Sequence, residues 1–158
     1  MKAKSKSSAG KRANGDIAFG VLPELIGYQL RQAQLAIFKD FQDTVGAHAI
    51  TPGLFGVLVV IDANPGLKQT TLARAIHLDR STVVNVIDKL EARRLVSRRQ
   101  ADGDRRSNAL WLTAEGKSLL AKLTPLVLAH EERLVADFSQ VDRARLARLL
   151  QRILNSKS

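Results

Sequence analysis

The sequence predicts a mainly α fold with a small β-hairpin wing: a winged helix-turn-helix flanked by N- and C-terminal helices that form a dimerisation region. Three observations carry this. Thr70, Thr71, Leu72, Ala73 and Ile76 make a short helix, and a tight His77-Leu78 connection joins it to a second, amphipathic helix. That helix has a clear start at Asp79 and one apolar face, Val83, Val86, Ile87 and Leu90. Then come two strand-like runs, Leu95-Val96-Ser97-Arg98 and Ala109-Leu110-Trp111-Leu112, separated by the turn signal Ala101-Asp102-Gly103-Asp104.

The rest of the chain fits around this unit. Residues 1–16 are Lys, Ser, Ala and Gly without an apolar period and read as a disordered basic tail. Residues 17–50 read as an N-terminal arm and dimerisation helix. Pro23-Glu24 is expected to open the helix, and Ile26, Leu30, Ala33, Ile37, Phe41 and Val45 repeat on one face. Residues 51–113 hold the winged helix-turn-helix. Thr51-Pro52 starts a helix that is apolar nearly all round and therefore central; Asn64-Pro65-Gly66 ends it. Residues 114–158 read as C-terminal dimerisation helices, opening at Thr113. Pro125 is expected to bend or divide the first of them. A break follows at Phe138-Ser139, and the last helix carries a stripe of Leu146, Leu149, Leu150, Ile153 and Leu154. A terminal stripe of this kind is poorly buried in a small monomer, so it predicts a homodimer.

Composition points to a polyanionic partner. The 158 residues carry a formal net charge of +10, with 45% apolar residues, enough for one packed domain. There is no cysteine, which excludes disulfides, thiolate zinc sites and thiol-based redox sensing. No apolar run is long enough to span a membrane, and the N-terminus lacks a signal-peptide core, so a cytoplasmic protein without a membrane partner is expected. Nucleophile elbow, P-loop, dinucleotide glycine turn and metal-spaced clusters of His and carboxylates are all missing. The sequence therefore predicts neither an enzyme nor a cofactor or metal site. His48, His77 and His130 are far apart in sequence.

Double-stranded DNA is the partner that the motif selects. Ser81, Thr82 and Asn85 near a helix N-terminus suit base edges in a major groove, and Val84 suits a thymine methyl. Thr70, Arg80, Lys89 and Arg99 are placed to join them. Arg105 and Arg106 lie at the tip of the hairpin, where a guanidinium can enter the adjacent minor groove. A two-fold dimer would set its half-sites about 10 bp apart on a near-palindromic operator. Two other readings stay open: a non-specific architectural DNA-binding protein, and a winged helix whose exposed helix binds another protein.

The segments LDRSTVVNVIDKLEARRLVSR and DRRSNALWLTAEG resemble the MarR-type transcriptional regulators, with the likeness running from about Leu25 to Leu154. The resemblance implies that Ser81, Thr82 and Asn85 enter the major groove and Arg106 the minor groove. It also implies release from DNA by a small, often aromatic or anionic effector. Candidate ligand contacts are Tyr28, Arg31, Phe38, His48 and Phe55, aromatic walls plus a cation that would suit an aromatic acid or its CoA thioester. The segment IGYQLRQAQLAIFKDF is similar to regulators of aromatic-acid breakdown. Two positions depart from the family pattern: Ala101-Asp102 stands where Asp-Pro is common, and Arg94 stands where Gly often ends the reading helix. A non-Gly residue there must either adopt left-handed geometry or change the helix end.

Overall fold

A computed structural model of the chain describes residues 17–101 and 104–156; the side chains of residues 100–108 are outside the description. The element order is a 3-10 turn at Leu22–Glu24, α1 (Ile26–Val45), a second 3-10 turn at Gly46–His48, α2 (Pro52–Ala63), β1 (Leu67–Lys68), α3 (Gln69–Ala75), α4 (Arg80–Ala92), β2 (Val96–Ala101), β3 (Asp104–Leu112), α5 (Ala114–Leu134) and α6 (Gln140–Asn155). The described residues divide into two compact units, one up to Leu35 and the other from Ala36 onward.

In the first unit, Pro23 does not open the long helix. It sits in the 3-10 turn, and Leu25 then adopts an extended ψ of 123° before α1 begins at Ile26. The Gln29 side chain donates to the Pro23 carbonyl at 2.9 Å, which satisfies the turn without continuing it into helix. Phe19 and Tyr28 face each other with ring centroids 6.4 Å apart. Ile17, Phe19, Val21 and Ile26 are all more than half exposed.

The second unit is built on α2. Thr51 caps it, accepting the Leu54 amide at 3.3 Å, with Pro52 in the first turn. Val57, Leu58 and Ile61 are buried, and around them pack Phe41, Val45, Leu72, Ile87, Leu110 and Leu123. The wing is a three-stranded antiparallel sheet in the order β1-β3-β2. The hairpin was legible in the sequence; β1 was not. Leu67 pairs with Leu110, Val96 with Leu112, and the β2–β3 ladder runs to Ala101 opposite Asp104. Gly66, at φ +83°, brings the chain into β1 beneath Trp111, where an added Cβ would lie 3.2 Å from the indole.

Helix α4 ends in a Schellman turn. The Leu95 amide donates to the Leu90 carbonyl (2.9 Å) and the Arg94 amide to that of Glu91 (2.8 Å), with Arg94 at φ 57°. Arg94 thus takes the left-handed conformation itself, at a cost of about 1–2 kcal/mol. Burial of Leu90 and Leu95 on either side, about 2 kcal/mol each, outweighs it. The Leu95 carbonyl then receives the Thr113 amide at 3.1 Å, just before α5. Thr113 caps α5 by accepting the Gly116 amide at 2.9 Å. Gly116 lies directly on the Leu95 carbonyl, with an added Cβ only 2.0 Å from that oxygen.

Pro125 neither ends nor divides α5, which runs as one helix from Ala114 to Leu134. Pro125 is on the exposed side, where solvent can serve the carbonyl that its ring leaves unpaired. Ser139 caps α6 through the Asp142 amide (3.1 Å), and no residue of α6 is buried.

Two stability outcomes follow from this junction. Gly116→Ala should lower the unfolding free energy in urea by about 2 kcal/mol or more, since the clash is with backbone. Arg94→Gly should raise it by about 0.5–1 kcal/mol, relief of strain exceeding the added chain entropy.

Candidate nucleic-acid interface

Helix α3 also closes with a left-handed residue. His77, at φ 52°, lets the Leu78 amide reach the Ala73 carbonyl (3.1 Å) and its own amide reach that of Arg74 (3.4 Å). The chain turns at once into the N-cap of α4. Asp79 accepts the Thr82 amide at 2.8 Å, as its position predicts. It also accepts the hydroxyls of Ser81 and Thr82, the latter at 2.6 Å, which sequence reasoning did not foresee. These bonds, that of Ser81 foremost and those of Thr82 next, hold the Asp79 carboxyl well below the usual carboxylate range. Its capping contribution is therefore complete above the ordinary aspartate value of 3.8 and fades only as pH falls through the depressed folded value.

With Val83, Ile87 and Leu90 buried, α4 presents its opposite side outward. Ser81, Val84 and Asn85 are exposed at helical spacing, Val84 with 41% of its surface accessible. Arg80 and Lys89 are exposed on the same helix, Thr82 is half-buried, and Thr70 is exposed on α3. An exposed valine between hydroxyl and amide side chains is a surface that water alone does not favour.

The wing is tied to this helix by Arg98. Its guanidinium donates to Glu91 (2.6 Å) and Asp88, and its backbone amide donates to the other Glu91 oxygen (3.1 Å). Weaker contacts reach the Gln69 side chain and the Val84 carbonyl. Arg98 is only 20% exposed, so its ion pairs are partly shielded from water. On the same strand Arg99 projects outward and lies over the Trp111 ring, 5.2 Å from its centroid. The side chains of Arg105 and Arg106 lie outside the described residues, as do Asp102 and Gly103.

The likeness to known proteins extends along nearly the whole chain. The MarR-family sequence profile matches residues 50–107. A protein of Thauera aromatica whose name assigns it to transcriptional regulation of the hcr operon is 37% identical over 153 residues, spanning 94% of this chain and 92% of its own. The chain belongs to the MarR family. As a MarR-family protein it is a DNA-binding transcriptional regulator and not an enzyme. Two solved structures are similar along their full length. The transcriptional repressor CouR bound to a 23-mer DNA duplex gives a TM-score of 0.82 at 39% identity, covering 89% of this chain and 100% of that one. CouR bound to p-coumaroyl-CoA gives 0.83 at 37%, covering 90% and 100%.

The predicted ligand residues of this MarR-family regulator fall in several surroundings. Tyr28 is half-buried and Arg31 exposed, hydrogen-bonded to Gln34, in the first unit. In the second unit Phe38 is 44% exposed, and half-buried Phe55 packs against Phe41 with centroids 6.3 Å apart. His48 lines an open cleft of about 440 Å³ with Ala114, Glu115, Ser118, Leu119 and Lys122. The backbone carbonyls of His48 and Ala49 each receive a 2.7 Å hydrogen bond from Arg93 at the end of α4. Nothing in the local pattern hinted at this link, which joins positions 44 and 45 residues apart. His130, fully buried on α5, has a partner that its sequence neighbours do not reveal: its Nδ1 lies 2.6 Å from Asp40, with the Phe41 ring edge-on at 5.6 Å. Among the described residues no three His, Cys, Asp or Glu side chains are grouped to hold a metal. Nor is any single helix there long and apolar enough to cross a membrane.

Two variants test the interface. Arg98→Ala should cost about 1–2 kcal/mol of stability, between the values for exposed and buried pairs, and should weaken DNA binding by more than its stability loss explains. Arg99→Ala should reduce the slope of log affinity against log salt by about one, the loss of one phosphate contact. Trp111 is the one tryptophan of the chain, so its fluorescence reports on Arg99 directly.

Proposed function

We propose that this MarR-family regulator is a homodimeric repressor that occupies a near-palindromic operator and leaves it when an aromatic acid or its CoA thioester binds. The observation that carries the reading is the likeness to CouR at 37–39% identity over about nine-tenths of the chain, once with DNA and once with p-coumaroyl-CoA. The work divides along the chain as the sequence suggests. Residues 17–50 and 114–158 serve dimerisation and 51–113 read DNA; the expected basic tail, residues 1–16, lies outside the described residues.

In this reading α4 enters the major groove with Ser81, Thr82, Val84 and Asn85 toward the bases. Arg80, Lys89, Thr70 and Arg99 hold the flanking backbone, and Arg105 and Arg106 reach the minor groove. The exposed apolar residues of α6, Leu146, Leu149, Leu150, Ile153 and Leu154, are covered by a second copy. Of the sequence-predicted effector contacts, Phe38, His48 and Phe55 belong to the second unit and supply aromatic surface there, and Tyr28 and Arg31 belong to the first. The Arg93 bonds to the His48 and Ala49 carbonyls give one route from such a contact to the C-terminus of α4. Bound effector then re-angles the paired reading helices, their spacing no longer matches the duplex, and affinity falls. The site of action of a DNA-binding repressor of this kind is the cytoplasm.

The test is a mobility-shift titration on the promoter region of the regulator's own gene. Micromolar p-coumaroyl-CoA or a related aromatic acyl-CoA, or the free acid, should release the DNA at least tenfold, while acetyl-CoA should not. Release by none of a panel of aromatic acids and thioesters would remove the effector assignment. Arg106→Ala should weaken operator binding by at least tenfold at physiological salt, and unchanged affinity would take the wing tip out of the mechanism.

A further inference from the structure

Serine and threonine hydroxyls are ordinarily poor discriminators of bases, because a freely rotating O–H can donate to an acceptor or accept from a donor. At the start of α4 that freedom is removed. Ser81 donates its hydroxyl proton to Asp79 Oδ1, and Thr82 donates its own to Oδ2 at 2.6 Å. Oδ1 also receives the Thr82 amide at 2.8 Å, so the carboxylate is fixed in orientation. An ionised carboxylate has no proton to give, so each hydroxyl must be the donor in its pair. Each hydroxyl is then left with lone pairs alone for any other partner.

In the major groove, cytosine N4 and adenine N6 are hydrogen-bond donors, whereas guanine O6 and N7 and thymine O4 are acceptors. We infer that Asp79 is a specificity-determining residue that turns Ser81 and Thr82 into fixed acceptors, so that the N-terminus of the reading helix selects an exocyclic amine and rejects guanine and thymine. Asp79 itself touches no base; it positions the two residues that do. The inference rests on the proposal that α4 reads operator DNA.

Asp79→Asn separates this role from capping, since asparagine caps a helix about as well as aspartate. Its single side-chain oxygen can keep the Ser81 hydroxyl and the Thr82 amide. The NH₂ group replaces Oδ2 and donates to Thr82, whose own proton then turns outward. The experiment selects binding sites for the full-length wild type and for D79N from a randomised duplex library, then measures ratios of affinity between bases at each position. The wild type should show a half-site position where A or C is preferred over G and T by about tenfold or more. At the position whose preference Thr82→Val removes, D79N should bring that ratio below about threefold, while a position read by Ser81, whose donation asparagine keeps, should retain its own. Removing the amine from the preferred base, with purine for adenine or 2-pyrimidinone for cytosine, should weaken wild-type binding about tenfold. If D79N folds poorly by circular dichroism, the double variant S81A/T82V should lose the same preference. A position whose preference Thr82→Val removes but D79N leaves unchanged, or no penalty for amine removal, would overturn the inference while leaving sequence-specific binding intact. A wild type that selects no sequence at all would instead overturn the DNA-reading proposal beneath it.

Discussion

One residue, Leu95, fastens α4, the wing and α5 together. Its amide closes the end of α4, its side chain is buried in the core, and its carbonyl receives the first amide before α5. Gly116 fits against that carbonyl with no room for a Cβ, and the Thr113 hydroxyl donates to the neighbouring Arg94 carbonyl. Helix α4, the wing strand and the long C-terminal helix α5 therefore meet within two residues. Arg94 adopts a strained left-handed conformation so that this meeting can occur. The strain is tolerated because the apolar residues on both sides of it are buried.

Around this junction, charged side chains tie α4 to its neighbours. Arg98 joins the wing to Asp88 and Glu91 of α4, and Arg93 joins the end of α4 to the carbonyls that follow α1. On the far side of the unit, buried His130 ties α5 to Asp40, and Arg133 reinforces the contact through Thr44 at 2.8 Å. None of these groups needs to touch DNA. Their effect is to fix the direction in which Ser81, Val84 and Asn85 point, and geometry of that kind is what a groove-reading helix requires.

Features set by near neighbours in the chain were legible in the sequence. The caps at Thr51, Asp79, Thr113 and Ser139 each lie within three residues of the amide they receive, so spacing alone revealed them or the break they mark. The inward face of α4 followed from periodicity. Strand β1 was hidden because two residues carry no period, and only their pairing with Leu110 and Ala109 makes them a strand. A local rule failed at Pro23, which stays in a 3-10 turn because Leu25 is extended; at Pro125 division does not occur, and α5 passes through it as one helix. The Arg98 and Arg93 bonds depend on where the chain returns in space. A clue did exist in Asp88 and Glu91, one helical turn apart and followed by an arginine on the next strand. The exposed, mostly polar face of α4 was expected from its periodicity, but Asp79's hold on both hydroxyls depends on side-chain rotamers that sequence does not fix.

What the single chain leaves uncovered points to its partner. Helix α6 buries none of its residues, and Leu154 is 79% exposed beside four other large apolar side chains of the same stripe. Pairing two chains through such surfaces would set two copies of α4 at one separation, and a junction as tight as that at Leu95 would transmit the spacing without slack. The chain has no cysteine, so a single spin label can be placed at Ala92 near the end of α4. Inter-label distances measured by pulsed electron resonance on operator DNA should form one narrow distribution consistent with reading helices one helical turn of DNA apart, about 34–36 Å. A missing inter-chain signal, or a broad spread of distances on the operator, would contradict the account.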